Sequence, residues 1–149
     1  MTATTTTIAP STDRAERPAT TSSSLWRPGL TAGLAAAAAT TGVVVVARAL
    51  GVPVETAAGE SIPIAGFAQL TLFFTVIGIL LAKGIARRAD QPRSTFTRTT
   101  VALTVLSLVP DLMLSTGAAS KLTLMVTHVV AAAVIIPALA SRVAEQRTR

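Results

Sequence analysis

The chain has 149 residues, half of them hydrophobic and only 13% charged, with thirteen Lys and Arg against seven Asp and Glu. Soluble domains carry roughly 25% charged residues, so this composition, with a mean hydropathy of +0.61 and a pI near 11.6, excludes an ordinary globular protein. With no cysteine there is no disulfide framework, thiolate zinc site or iron–sulfur cluster, and the single histidine excludes a multi-histidine metal site within one chain.

Residues 1–27 are rich in Thr, Ser, Ala and Pro, and Ile8 is the one large apolar side chain before Leu25. No core can be built from such a segment, so nothing offsets the entropy of ordering it. It is expected to be a disordered tail, made basic by Arg14, Arg17 and Arg27. Trp26, just ahead of the first apolar run, suits an anchor at a membrane–water interface.

Four apolar runs follow, at about 30–50, 64–86, 97–115 and 122–140. The first, LTAGLAAAAATTGVVVVARAL, has no charge before Arg48, and the second is interrupted by Gln69 and Lys83 alone. A bilayer core of roughly 30 Å needs about 20 apolar residues at 1.5 Å rise per residue. Every run is close to that length, and the third, whose uninterrupted part is Thr99 to Ser115, is the shortest. A soluble helix shows a polar face over most of its length, and these runs show none. Amides in hydrocarbon must be paired within their own segment, which favours helices over barrel strands. The expected fold is therefore all-α: an integral membrane four-helix bundle over 28–141, followed by a basic tail, 142–149.

The basic residues orient this bundle. Cytoplasmic loops retain Lys and Arg. With four helices, the N-terminal tail, the segment 87–98 and the C-terminal tail share one side. With Lys83 at the end of the second run, that side holds eleven of the thirteen basic residues, and only Arg48 and Lys121 fall on the other. Both termini are thus expected in the cytoplasm, with the acidic loop 51–63 outside. The leader, the first run and Ala47-Arg48-Ala49 share features with a cleavable signal peptide. The run exceeds the usual ~7–15-residue apolar region, however, and Arg48 interrupts the site, so an uncleaved span is expected.

Gly29 and Gly33 form a small-residue pair continued by Ala37, a spacing that lets membrane helices approach closely. The expected use is close packing inside the bundle. Pro110 and Pro137 fall within the third and fourth runs, where each frees a carbonyl.

Four polar residues lie in hydrocarbon under the derived orientation: Arg48, Gln69, Asp111 and His128, one on each helix and all in the outer half. Such residues are costly and face the bundle interior. One arrangement is a structural network in which Arg48 pairs with Asp111, or Arg48 extends to the outer surface. The other is an outward-facing polar pocket, with Asp111 and His128 as the proton-handling pair, since histidine ordinarily titrates near neutral pH. No nucleophile motif, phosphate loop or metal-ligand cluster accompanies them. No catalytic residue, metal or cofactor is expected, and the chain is expected not to be an enzyme. Its expected partners are the lipid bilayer and a second copy or another membrane protein. Nucleic acid is not expected, because the basic residues are accounted for as topology signals.

The segments ARALGV at 47–52, LVPD at 108–111, KLTL at 121–124, His128 and AAAVIIPAL at 131–139 resemble a group of small four-helix membrane proteins of high-GC Gram-positive bacteria that share a domain of unknown function. The resemblance runs from Pro28 to Arg142. It implies four helices in a bacterial plasma membrane and carries no activity. The expected role is a non-enzymatic structural or accessory membrane component, with an oligomeric transporter or proton-coupled protein as the alternative.

Overall fold

The computed structural model describes residues 25–55, 58–114 and 117–145. They form four helices: α1 (Trp26–Ala49), α2 (Ile64–Arg88), α3 (Pro92–Leu114) and α4 (Ala118–Glu145). The tails expected at 1–27 and 142–149 lie outside the described residues except at 25–27 and 142–145. There the helices overrun the apolar runs, because α1 already includes Arg27 and α4 continues through Arg142. Leu25 explains the early start of α1, since it is fully buried in the core cluster at that end.

The segment 87–98 contracts to three linking residues, 89–91. Arg87 and Arg88 stay helical at the negative end of the α2 dipole. Pro92 opens α3, where its fixed φ suits the first helical position and its missing N–H costs nothing. The link between α1 and α2 is longer and ordered by its backbone. Gly51 and Gly59 adopt φ of +78° and +77°, a left-handed conformation open to glycine without a Cβ penalty. Across the Gly59 turn an isolated bridge pairs Glu55 with Ser61, and the Ile62 amide donates to the Val54 carbonyl at 3.1 Å.

The helices alternate in direction. One apolar cluster joins Leu25, the end of α2 (Ile79, Ala82), the start of α3 (Phe96) and the end of α4 (Leu139, Ala140, Val143). A second cluster at the opposite end gathers Val44, Ala47, Val54 and Phe67. Helix α1 packs on α2 and α4, while α3 packs chiefly on α4, more sparsely on α2, and not on α1.

Between the two clusters the interior is made of small and hydroxyl side chains. In lipid there is no hydrophobic gain from joining helices, so close van der Waals approach must hold them. The buried face of α1 reads Gly29, Ala32, Gly33, Ala36, Ala37, Thr40, Val44 and Ala47, the three- and four-residue spacing of one helical stripe. Several hydroxyls are satisfied within their own helix: Thr75 donates to the Thr71 carbonyl at 2.7 Å and Thr104 to that of Thr100 at 2.8 Å, whereas the buried Thr41 hydroxyl has no such partner among the described residues. Such bonds let threonine sit where water does not reach. Large apolar side chains point outward on all four helices, among them Leu34, Phe74, Leu106 and Leu122, each at least 60% exposed.

Three helices, α1, α2 and α4, are long and apolar enough to cross a membrane. Helix α3 is of similar length, but Arg93 and Arg98 occupy its first two turns. It nevertheless runs alongside α4 between Val143 and His128. Phe96 joins the cluster that holds Leu139 and Val143, and Asp111 reaches His128. Fifteen residues separate those two contacts, about 22 Å along a helix axis.

Candidate functional site

Asp111 lies near the end of α3, one residue after Pro110. Proline keeps the helix going here while withdrawing one amide donor. His128 sits on α4 next to Thr127, which belongs to the buried face of that helix. A rotation of about 100° per residue carries the imidazole from that face toward α3, and His128 Nδ1 stands 2.8 Å from Asp111 Oδ2.

The same nitrogen lies 3.1 Å from the Leu124 carbonyl one turn earlier. Both neighbours are acceptors, so Nδ1 carries the hydrogen and Nε2 keeps the lone pair in the neutral ring. The Asp111 side chain is 11% exposed and that of His128 is 40% exposed. The carboxylate is thus enclosed while the imidazole can be reached. Chemically, Nε2 can accept a proton while the adjacent carboxylate balances the charge. Among the described residues no third His, Asp or Glu joins them to form a metal-holding group.

The four-membered polar cluster expected from the sequence does not assemble. Arg48, in the last turn of α1, turns to the α1–α2 loop. It donates to Ser61 Oγ at 3.1 Å and to the Ile62 carbonyl, in place of the pairing with Asp111 that is one of its two expected arrangements. The reason is proximity: the returning loop brings acceptors to the guanidinium, whereas α1 and α3 are not neighbours. Gln69 is exposed. The inward residues of α2 include Phe67, Thr75 and Ile79, and Gln69 lies about 200° around the axis from Phe67.

Gly29, Gly33 and Ala37 all lie on the buried face of α1. A Cβ on Gly29 would fall 2.5 Å from Ile79 Cγ1, and one on Gly33 would fall 2.5 Å from Thr75 Cγ2. The pair is therefore occupied within the bundle, chiefly by α2. At the other end Trp26 meets Lys83, whose Nζ lies 4.7 Å from the indole centroid, a cation–π contact.

Two polar ties escaped the sequence reading. Thr40 and Thr71 hydroxyls meet at 3.2 Å across α1 and α2, and the Ser120 hydroxyl donates to the Pro53 carbonyl, pinning the start of α4 to the loop. The first had a signal: Phe67, Thr71, Thr75 and Ile79 recur every fourth residue, which marks one helix face. The second had none, because the loop path is not written in periodicity.

A family model matches residues 20–145, covering all four helices. The chain belongs to DUF6069, a family of unknown function. Membership in DUF6069 agrees with the four-helix architecture and adds no activity to the Asp111–His128 pair. The comparisons with curated proteins and with solved structures each returned no match.

Proposed function

We propose that the chain is a multi-pass protein of the bacterial plasma membrane, crossing it four times with both termini in the cytoplasm, and that it serves as a non-enzymatic structural or accessory component. The observation that carries this reading is the charge difference between the two ends of the bundle. Arg27, Lys83, Arg87, Arg88, Arg93, Arg98 and Arg142 gather where α1 and α3 begin and α2 and α4 end, whereas Arg48 and Lys121 stand opposite, with Glu55 and Glu60. Basic ends are retained in the cytoplasm. Apolar side chains exposed on every helix supply a surface for lipid or a partner helix. For α3, Val105, Leu106 and Met113 face outward, and Arg93 and Arg98 are near enough to its start to extend toward the interface.

Because the chain has no cysteine, single-cysteine labelling tests the topology without background. In intact cells an impermeant maleimide should label Glu60→Cys and leave Gln91→Cys and Ser141→Cys unlabelled, with all three reacting after lysis. Labelling at 141 in intact cells would establish three crossings and leave α3 on the cytoplasmic side.

A second reading, a proton-coupled role, is favoured by the Asp111–His128 contact alone. Reconstituted protein should then carry a proton flux that Asp111→Asn and His128→Ala each reduce at least tenfold. Equal flux in all three proteins, at the level of empty liposomes, removes this reading.

A further inference from the structure

The end of α2 and the start of α3 bound an open groove of about 460 Å³, within the size range of ligand-binding clefts. Leu80, Leu81 and Ile85 form its apolar wall, Gly84 leaves it open, and the exposed side chains of Arg88 and Thr95 line it as well. A Cβ on Gly84 would meet nothing within 4 Å. From Leu80 to Arg88 the wall runs about 12 Å along the helix, so it descends from the basic end of the bundle into the depth of one leaflet.

We propose that this groove is a binding site for an anionic phospholipid, with an acyl chain lying along Leu80, Leu81 and Ile85 and the phosphate held by Arg88. An apolar groove open sideways at hydrocarbon depth is filled by a chain, since water has no polar partner there. The headgroup is chosen by charge. Arg87, Arg88, Arg93 and Arg98 surround the α2–α3 turn, and among the described residues none of the four has an ion-pair partner within 4 Å. Asp90 is the one acidic residue of that turn. Guanidinium matches phosphate with paired donors, and basic residues at this level attract anionic lipid. The inference rests on the protein being embedded in a bilayer and is independent of which leaflet the groove faces.

The test equilibrates the purified full chain with mixed micelles of phosphatidylcholine and phosphatidylglycerol and measures the lipid it retains. Phosphatidylglycerol should be enriched over its share of the micelle. Arg88→Gln should lower that enrichment about fivefold, the effect of one basic residue at a membrane surface. Arg142→Gln, an equal charge change at the same end but outside the groove, should leave it unchanged. Gly84→Leu should fill the groove and abolish retention with helix content intact. Leu80→Trp, at a position 54% exposed, repeats the blockade should Gly84→Leu fail to fold.

Several results would overturn the proposal. These are equal retention of the two lipids, equal effects of Arg88→Gln and Arg142→Gln, and displacement by glycerol phosphate as effective as by the intact lipid, which would mark a soluble-anion site. A change in oligomeric mass on Gly84→Leu with lipid retention unchanged would assign the groove to a second copy. Retention in micelles does not depend on membrane orientation, so a reversed topology in the labelling experiment leaves this outcome separately readable.

Discussion

Gly33→Ala should destabilise the bundle by about 1–3 kcal/mol, the usual cost of overpacking, although alanine is by itself the better helix former by about 1 kcal/mol. The added Cβ would lie 2.5 Å from Thr75 Cγ2, 2.9 Å from its Oγ1 and 3.0 Å from its Cβ. A Cβ is fixed to the backbone, so no rotation of Thr75 relieves the last contact and α1 must move away from α2. That movement would also stretch the 3.2 Å contact between the Thr40 and Thr71 hydroxyls.

Two other glycines on α1 provide the scale. At Gly29 the new atom would fall 2.5 and 2.6 Å from Ile79 Cγ1 and Cδ1 and 3.2 Å from Leu139 Cδ2. These belong to side chains that can turn aside, so Gly29→Ala should cost less than Gly33→Ala. A Cβ on Gly42 meets nothing within 4 Å, and Gly42→Ala should be neutral or stabilising. Unfolding midpoints in mixed micelles give the order directly. If Gly33→Ala unfolded with Gly42→Ala, the close approach of α1 and α2 would not be what holds them together.

The second large effect is expected at Asp111 and His128. His128→Ala withdraws the imidazole whose Nδ1 stands 2.8 Å from a carboxyl group only 11% exposed, and should cost about 0.5–3 kcal/mol, the range over which groups in direct contact couple. Asp111→Asn should cost less, because the side chain keeps its size and the Nδ1 hydrogen keeps its bond to the Leu124 carbonyl. Groups in direct contact couple by about 0.5–3 kcal/mol in a double-mutant cycle. The Asp111→Asn, His128→Ala cycle should therefore give a non-zero coupling when stability is measured in detergent. Additive effects would show that the contact contributes nothing to the joining of α3 and α4. Because this measurement reads stability and the liposome assay reads flux, a coupled pair with no flux would define a structural tie.

The two experiments bear on different levels of the molecule. Gly33 concerns how α1 and α2 meet in a medium that gives no hydrophobic drive between them. Asp111 and His128 concern how α3, the helix with the fewest buried side chains, is fastened at the end remote from Phe96. If α3 is held at one end by Phe96 in an apolar cluster and at the other by one polar contact, loss of that contact should loosen its last turns first. Hydrogen exchange should rise there before it rises in α1.

Much of the architecture was legible without coordinates. Apolar runs of spanning length force helices, since a chain in hydrocarbon must satisfy its own amides, and these runs placed all four helices. The terminal overruns were less legible. Arg27 and Arg142 are polar by composition yet helical, because a helix continues past the hydrocarbon into the interface. The polar residues of 87–98 read as one link between helices, yet only three of them, 89–91, join α2 to α3.

The polar residues divide along the same line. Their rarity in apolar runs singled out Arg48, Gln69, Asp111 and His128 as residues that must find partners or leave the lipid. Composition and spacing determined the helices, their alternation and the gathering of charge at one end. Partnership was decided by the tertiary structure. It depends on the rotation of each helix about its axis, which sets Gln69 on an exposed face. It depends on which helices are neighbours, which joins α3 to α4 and leaves Arg48 without access to Asp111. It also depends on the path of a loop whose backbone offers Arg48 its acceptors. That the chain is both very apolar and very basic thus has two layers of explanation. The spans follow from the solvent each residue requires, while the site follows from contacts between residues far apart in sequence, which no local pattern encodes.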